Sequence, residues 1–174
     1  GIVSDLLPEI MSGFLNEYPN ISFVVFTGGS DRIQESVVSD EADIGIPFSA
    51  KPRPEVEVVL SHPLPSYAVF APTHQFASKK RLSVRAVLGQ KLVVPDASFG
   101  LRRLIDRVAF NCGVEVKEAL RTNSFALMKM LACTGHAVAI LPKAMILKEM
   151  ASGELCAIPI EGPDFMNAQI QICI

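Results

Sequence analysis

The amino-acid sequence predicts an α/β protein of two Rossmann-like lobes, with a mixed, mostly parallel sheet and two crossing segments that join the lobes. Three observations predict this fold class. Helix-like and strand-like segments alternate along the chain, the alternation begins again near residue 83, and no Pro/Gly/Ser-rich linker separates the two runs. We therefore expect two lobes in close contact rather than two independent domains.

The first run opens with a helix, because apolar residues recur at helical spacing from Leu6 to Leu15 and the Tyr18-Pro19-Asn20 turn ends the pattern. Residues 21–26 form a continuous β-branched and aromatic run, which predicts a buried strand. The Gly28-Gly29 turn then places Ser30 as the N-cap of a second helix. Further strands are predicted at residues 42–46, 56–60 and 67–70.

The second run repeats the alternation. Ser83 is the predicted cap of a short helix that Gly89 ends, and Pro95 closes a buried strand at residues 91–94. The loop after Pro95 opens a helix at residues 101–111 with an apolar face. The remaining strands are predicted at 115–121, 138–141, 155–158 and 170–174, and the remaining helices at 125–134 and 142–153.

Both ends of the sequence look trimmed. The first run opens on a helix with no strand before it, and the chain stops inside an apolar strand at Ile174. Because a parallel sheet normally needs its leading strand, we expect the natural protein to extend in both directions.

Charge and composition argue against direct contact with nucleic acid or a membrane. The 174 residues carry a net charge of -2 with a pI of about 5.9, whereas a nucleic-acid-binding domain usually has a basic excess. The basic run Lys79-Lys80-Arg81 is typical of a solvated loop. No apolar run approaches the roughly 18 residues that a membrane span needs.

The cysteines indicate a reducing compartment. Cys112, Cys133, Cys156 and Cys173 are far apart and form no C-x-x-C pair, which is typical of free thiols in the cytoplasm. Cys112 follows a helix and precedes Gly113, so an exposed and redox-active thiol at this position is an open alternative.

Motifs for catalysis are missing from the sequence. His62, His74 and His136 show neither H-x-x-x-H nor H-E-x-x-H spacing, and no P-loop or G-x-S-x-G elbow is present. Gly28-Gly29 is too slight for a dinucleotide fingerprint. We expect no metal, no cofactor and no enzyme activity; an enzyme on this fold would need a convergent acid–base pair that the sequence does not display.

Four motifs, in order along nearly the whole chain, resemble the effector domains of LysR-type regulators. They are Ser4-Asp5-Leu6-Leu7-Pro8 with Phe14 and Tyr18-Pro19 (LLP…F…YP), Asp43 to Ile46 (D-[LI]-[AG]-[IL]), Ala71 to Ala77 (the H-P-L-A crossover), and Gly135 to Pro142 (G-x-G-[IV]-x-x-L-P). The sequence departs from the family at Gln75, Phe76 and Ala137, and the last change makes a close backbone approach there less secure.

The resemblance implies a type II periplasmic-binding-protein-like fold and the function of an effector-sensing domain in a cytoplasmic bacterial transcription regulator. Such a domain binds a small-molecule effector, here expected to be a carboxylate or other anion, and forms a homodimer or tetramer. It also implies that a winged helix-turn-helix and a linker helix precede Gly1, so that DNA is bound only through that N-terminal part. The family's peroxide-sensing branch has a reactive cysteine where this chain has Gly100, so a thiol switch of that kind is not expected.

The predicted effector site lies where helix starts face the cleft between lobes, because ligands of open α/β sheets bind outside the carboxyl ends of the strands. Hydroxyl and amide side chains at the predicted helix starts either converge there or act as simple caps. The resemblance adds the turn before Ser30 and the loop of residues 96–102. The predicted set is Ser4, Thr27, Gly28, Gly29, Ser30, Pro95, Ser98, Phe99, Gly100, Arg102, Thr122 and Asn123.

Three side chains of the loop at residues 96–103 carry alternatives. Arg102 and Arg103 open a helix, where a cation opposes the helix dipole, so either one is a partner for a ligand carboxylate or a surface arginine. Phe99 either forms a wall of the pocket or packs on its own loop.

The lobes are predicted as residues 1–66 plus 158–174 (lobe I) and 67–157 (lobe II), with the hinge near 66–70 and 156–160. The angle between lobes would carry the signal. A periplasmic solute-binding protein of the same architecture is the alternative, and four unpaired cysteines count against its oxidising compartment.

Overall fold

The computed structural model describes residues 7–174, so the predicted site residue Ser4 lies outside the described residues. The helices are α1 (Leu7–Glu17), α2 (Ser30–Val38), α3 (Val84–Leu88), α4 (Gly100–Cys112), α5 (Phe125–Cys133), α6 (Leu147–Ala151) and α7 (Pro163–Met166), with a 3-10 turn at Lys143–Met145. The strands are β1 (Val58–Pro63), β2 (Ser66–Phe70), β3 (Leu92–Pro95), β4 (Glu118–Thr122), β5 (Val138–Pro142), β6 (Cys156–Pro159) and β7 (Gln169–Cys173).

Five strands form one sheet, called here the large sheet, in the order β4-β3-β5-β2-β6. Strand β3 pairs in parallel with β4 and β5, while β2 pairs antiparallel with β5 and β6. One strand of this sheet therefore runs against the other four, which confirms the predicted α/β class with a mixed, mostly parallel sheet.

Helix α4 covers the large sheet with an apolar stripe at i, i+3, i+4 and i+7 spacing. Leu101, Leu104, Ile105 and Val108 are all buried in one core with the strands β2, β3 and β5. The opposite side of the helix is polar or exposed and includes Phe110, which is 85% exposed. The apolar period of the sequence thus predicted both the helix and the face it buries.

The antiparallel pair β1-β7 forms a second sheet, called here the small sheet. Val37 of α2 packs there against Val56 and Cys173. Residues 45–49 run antiparallel along the other side of β7, with hydrogen bonds from Gly45 N to Cys173 O (2.8 Å), from Gln171 N to Pro47 O (3.1 Å) and from Ser49 N to Gln169 O (2.8 Å). A continuous strand was predicted at 42–46; only isolated bridges form, because Pro47 has no N–H for the ladder.

The predicted buried strand at residues 21–26 is wrong. These residues form neither helix nor strand, and Val24 is 80% exposed. Strand propensity alone does not form a strand without a neighbour to accept its hydrogen bonds, and no strand of residues 7–174 pairs with this segment. The ring of Phe23 instead lies against Phe14 of α1, with ring centroids 5.5 Å apart.

Other predicted elements are present with shifted bounds or smaller form. The helix predicted at residues 142–153 is split into the 3-10 turn and α6, and α7 was not predicted.

The four cysteines are free thiols, and Cys112 is partly exposed. No helix within residues 7–174 has the length and apolarity to cross a membrane.

The chain passes between the two sheets twice. Leu64 and Pro65 connect β1 to β2, and residues 160–168, which include α7, connect β6 to β7. The two connections touch, since Leu64 N donates to Ala168 O at 2.7 Å. The predicted hinge segments near 66–70 and 156–160 coincide with the paired strands β2 and β6, with residue 160 directly after β6. The lobe boundaries and the hinge stay a prediction.

Candidate functional site

Strands β3 and β4 end side by side and bring several predicted residues to one edge of the large sheet. Pro95 is paired with Thr122 in the parallel register, and Asp96 N donates to Thr122 O at 3.0 Å. The chain then enters α4 from one strand and α5 from the other. Pro95 is buried, whereas Ser98 and Asn123 are exposed.

The loop between β3 and α4 is held by its own hydrogen bonds. Asp96 Oδ1 accepts from Ser98 N at 3.0 Å, and this bond is the main reason that the pKa of Asp96 lies below its ordinary value. Phe99 meets Phe125, the first residue of α5, edge to face at 5.3 Å between ring centroids. Phe99 therefore packs on the next helix start rather than only on its own loop.

The start of α5 is capped by side chains. Ser124 Oγ accepts from Leu127 N at 3.2 Å, and Thr122 Oγ1 accepts from Ser124 N at 3.0 Å. The predicted capping role of this segment is thus present.

Helix α2 starts differently from the prediction. Gly29 is its N-cap and Ser30 its first residue, so the predicted cap at Ser30 is wrong. The hydroxyl of Ser30 donates instead to the carbonyl oxygen of Phe48 at 2.7 Å. Helix α4 follows the apolar residue Phe99, and neither α2 nor α4 has a side-chain cap.

The start of α2, which packs on the small sheet, lies against the start of α4, which packs on the large sheet. A methyl group at Gly29 would overlap the carbonyl group of Ser98, and one at Gly100 would overlap the carbonyl oxygen of Phe48 and approach Ser30 Oγ to 3.0 Å. Only glycine allows both approaches. The structure therefore brings Gly29, Ser30, Ser98 and Gly100 together, while Thr27 is exposed and Gly28 half-buried beside them.

The two arginines of the first turn of α4 have different partners. Arg102 Nε donates to both oxygens of Asp106, and its Nη2 donates to Glu118 Oε1, each at 2.8 Å. Hydrogen bonds from Arg121 and Arg102 hold the pKa of Glu118 below its ordinary value. The predicted ligand cation Arg102 thus already faces two carboxylates, and its role toward an effector stays a prediction.

Arg103, which was not in the predicted set, faces the other part of the chain. Its Nη1 donates to Asp31 Oδ2 at 2.9 Å and to Ser98 O at 3.3 Å. Asp31 and Arg103 are 72 positions apart, so no spacing in the sequence could have indicated this pair.

Two surface depressions lie outside these contacts. One of about 200 Å³ is at the opposite end of the large sheet, beside His74, Lys91 and His136. The other, of about 220 Å³, includes Ser49 and Leu104 next to the Gly100 contact. No cluster of side chains suited to a metal ion occurs in the part of the chain that the structure describes.

The structure is similar to solved regulatory domains. It matches the Synechocystis PCC6803 CcmR regulatory domain in complex with 2-PG (TM-score 0.82, 18% identity, 98% of this chain and 81% of that chain) and the effector-binding domain of QuiR in complex with shikimate (TM-score 0.78, 19% identity, 98% and 81%). It also matches the full-length BenM E226K mutant (TM-score 0.80, 16% identity, 99% and 57%). These matches show a shared fold, which is the predicted type II periplasmic-binding-protein-like architecture.

The LysR substrate binding domain family matches residues 1–174, and the chain belongs to this family. Similar curated proteins include the activator CmpR of Synechocystis sp. (20% identical over 158 residues, 90% of this chain and 51% of that protein) and the regulator YybE of Bacillus subtilis (20% over 159 residues, 91% and 53%). The chain spans about half the length of the curated relatives it matches. The family is regulatory and not enzymatic, so the predicted resemblance is confirmed over the solute-binding alternative.

Proposed function

We propose that this domain senses a small anionic metabolite that binds where α2 and α4 begin, between lobe I (1–66 plus 158–174) and lobe II (67–157). The observation that carries the proposal is the contact between these two helix starts, which have no side-chain caps. The proposed contact set is the predicted one: Ser4, Thr27, Gly28, Gly29, Ser30, Pro95, Ser98, Phe99, Gly100, Arg102, Thr122 and Asn123.

Helix starts favour an anion for two physical reasons. The first N–H groups of a helix have no acceptor within the helix, and the helix dipole places partial positive charge there. A carboxylate or phosphate satisfies both. Because α2 packs on the small sheet and α4 on the large sheet, an anion held by both helices binds one relative arrangement of the sheets better than another.

This differential binding is the proposed signal. A ligand shifts a conformational equilibrium only by its difference in affinity for the two states. A change from 1:99 to 99:1 requires discrimination of about 5.5 kcal/mol. The change would turn the lobes about the hinge near 66–70 and 156–160 and pass through a homodimer or tetramer to an N-terminal DNA-binding part in the cytoplasm.

The ligands of two similar domains support an anion. The CcmR regulatory domain was solved with 2-PG and the QuiR domain with shikimate, which is a carboxylate. These ligands belong to those proteins, and they define the chemical class to test first.

A thermal-shift titration of the 174-residue chain tests the proposal. Shikimate, 2-PG and inorganic phosphate are compared at equal ionic strength with glucose and putrescine. At 100 times its Kd a bound ligand adds about 2.7 kcal/mol to the free energy of unfolding, so we expect an anion to raise the midpoint in a saturable way. Stabilisation by glucose or putrescine alone, or by none of the compounds, would contradict the proposal.

Two matched variants test whether the anion that raises the thermal midpoint binds near the starts of α2 and α4. Ser98→Glu adds a negative charge at the exposed residue beside Gly29 and should abolish the anion-dependent shift by repulsion. Ser152→Glu adds the same charge at the exposed end of α6 and should leave the shift unchanged.

A further inference from the structure

An ion pair joins α2 to α4 beside the contact between the first residues of these helices. Arg103 on α4 donates to the carboxylate of Asp31 on α2 at 2.9 Å. The Arg103 side chain is 22% exposed and the Asp31 side chain 58%. Because a partly exposed ion pair contributes little to stability, a second carboxylate that reaches Arg103 competes with Asp31.

The helix dipole favours the charge of Asp31 and disfavours the charge of Arg103. Asp31 lies in the first turn of α2, where a helix favours negative charge, and Arg103 lies in the first turn of α4, where a helix disfavours positive charge. The carboxylate of Asp31 therefore occupies the kind of position that an anionic ligand would take, and it compensates a cation that α4 alone would not favour.

The Arg103 guanidinium also has capacity for a further acceptor. Its Nη2 is buried and has no hydrogen-bond partner among residues 7–174. A buried N–H without an acceptor costs free energy, and a carboxylate that accepts from both Nη1 and Nη2 removes that cost. Arg102 Nη1 is likewise buried without a hydrogen-bond partner among residues 7–174. Its Nε and Nη2, however, are bonded to Asp106 and Glu118, so Arg102 already pairs with two carboxylates and Arg103 with one.

We propose that Arg103 is the side chain that recognises the anionic effector, and that Asp31 is an internal competitor which pairs with Arg103 until the effector displaces it. This inference rests on the proposed function and names a specificity residue within it. The Asp31 pair sets a threshold, because the effector must outcompete a carboxylate that is part of the protein.

Calorimetric titration with shikimate, 2-PG and inorganic phosphate tests the competition. Arg103→Gln should weaken the best-binding anion by about tenfold or more, and Arg103→Lys should fall between Arg103→Gln and the unchanged chain because lysine has no planar fork. Asp31→Asn should bind the same anion several-fold more tightly, since it removes the competitor and leaves Arg103 in place.

Each variant has a control on the same helix. Arg107→Gln removes an arginine one turn along α4 whose side chain is 63% exposed, and Glu35→Gln removes a carboxylate one turn along α2 that pairs with Arg53. Both controls should bind the anion within about twofold of the unchanged chain. Equal effects of Asp31→Asn and Glu35→Gln would show a general charge effect and overturn the inference.

The failures of the inference and of the proposed function are distinguishable. If the unchanged chain binds none of the anions, the proposed function fails and the inference fails with it. If the unchanged chain binds an anion and Asp31→Asn binds it no more tightly, the inference alone fails. Asp31→Asn alters an exposed side chain, so its fold is checked simply by circular dichroism.

Discussion

Ser30 donates a 2.7 Å hydrogen bond from its hydroxyl to the carbonyl oxygen of Phe48, and Gly100 lies against the same oxygen. The carbonyl oxygen of Phe48 therefore contacts the start of α2 and the start of α4. Phe48 forms a β-bridge with Ile170 of β7. The starts of both helices are therefore positioned relative to the small sheet.

Replacing Ser30 by alanine tests this arrangement. Ser30 is buried, and the loss of a typical hydrogen bond lowers the free energy of unfolding by about 0.5 to 1.5 kcal/mol. Urea denaturation of Ser30→Ala measures the change. Ser98→Ala, at an exposed hydroxyl in the neighbouring loop, should change stability by less than about 0.5 kcal/mol; equal losses in both variants would contradict the assignment.

Gly100→Ala should destabilise the chain through a steric overlap with Phe48 O. Overpacking of this kind costs about 1 to 3 kcal/mol, and we expect a lower thermal midpoint. Gly13→Ala is the matched change, since nothing lies within 4 Å of the added methyl and α1 gains helix propensity. A Gly100→Ala variant as stable as Gly13→Ala would show that the contact is not close.

The buried stripe of α4 gives a prediction for the core. Ile105 is fully buried, so Ile105→Ala should lower the free energy of unfolding by about 2 to 5 kcal/mol. Phe110→Ala on the same helix removes a larger side chain that is 85% exposed and should cost less than about 0.5 kcal/mol. Denaturant unfolding of the two variants checks the order, and the reverse order would refute this orientation of α4.

His74 predicts a pH dependence of stability. Burial holds the pKa of His74 below its ordinary value of 6.5, and Nδ1 accepts from Phe76 N at 3.3 Å, which requires the unprotonated nitrogen. The folded chain then binds fewer protons than the unfolded chain, so this contribution is full above pH 6.5 and is lost as pH falls through the lower folded pKa.

Unfolding free energies at about pH 7.5 and pH 5.5 measure the His74 contribution. In His74→Asn the amide oxygen can still accept from Phe76 N, but the side chain does not titrate. The free energy of unfolding of this variant should therefore fall less on acidification. His62→Asn, at an exposed position of β1, should keep the pH dependence of the unchanged chain. The prediction fails if His74→Asn and the unchanged chain lose stability equally.

Local patterns predicted the large sheet well. The four apolar residues of α4 recur with helical period, and β3 and β5 are buried apolar runs closed by Pro95 and Pro142, so each element carries its own signal. Residues 21–26 carry an equally strong strand signal, yet a strand also needs a partner, and this requirement is not local.

The contacts around the candidate site were only partly predictable from the sequence. Turn glycines and polar helix starts indicated the meeting of Gly29 with the loop at Ser98. The sequence could not indicate whether the Ser30 hydroxyl would cap its helix or bond to Phe48, because the acceptor is 18 positions away. The Asp31 to Arg103 pair is more distant still, and nothing in the local pattern distinguished Arg103 from Arg102.

The connection from β1 to β2 is stiffer than its length suggests. Leu64 stands between Pro63 and Pro65, whose rings fix their own φ angles, and a residue before proline is itself restricted. The other connection, residues 160–168, contains Gly162 with φ 98° and has more freedom to bend. A turn of the sheets about the proposed hinge near 66–70 and 156–160 would therefore leave the backbone of residues 63–65 nearly unchanged and alter the conformation of residues 160–168 more.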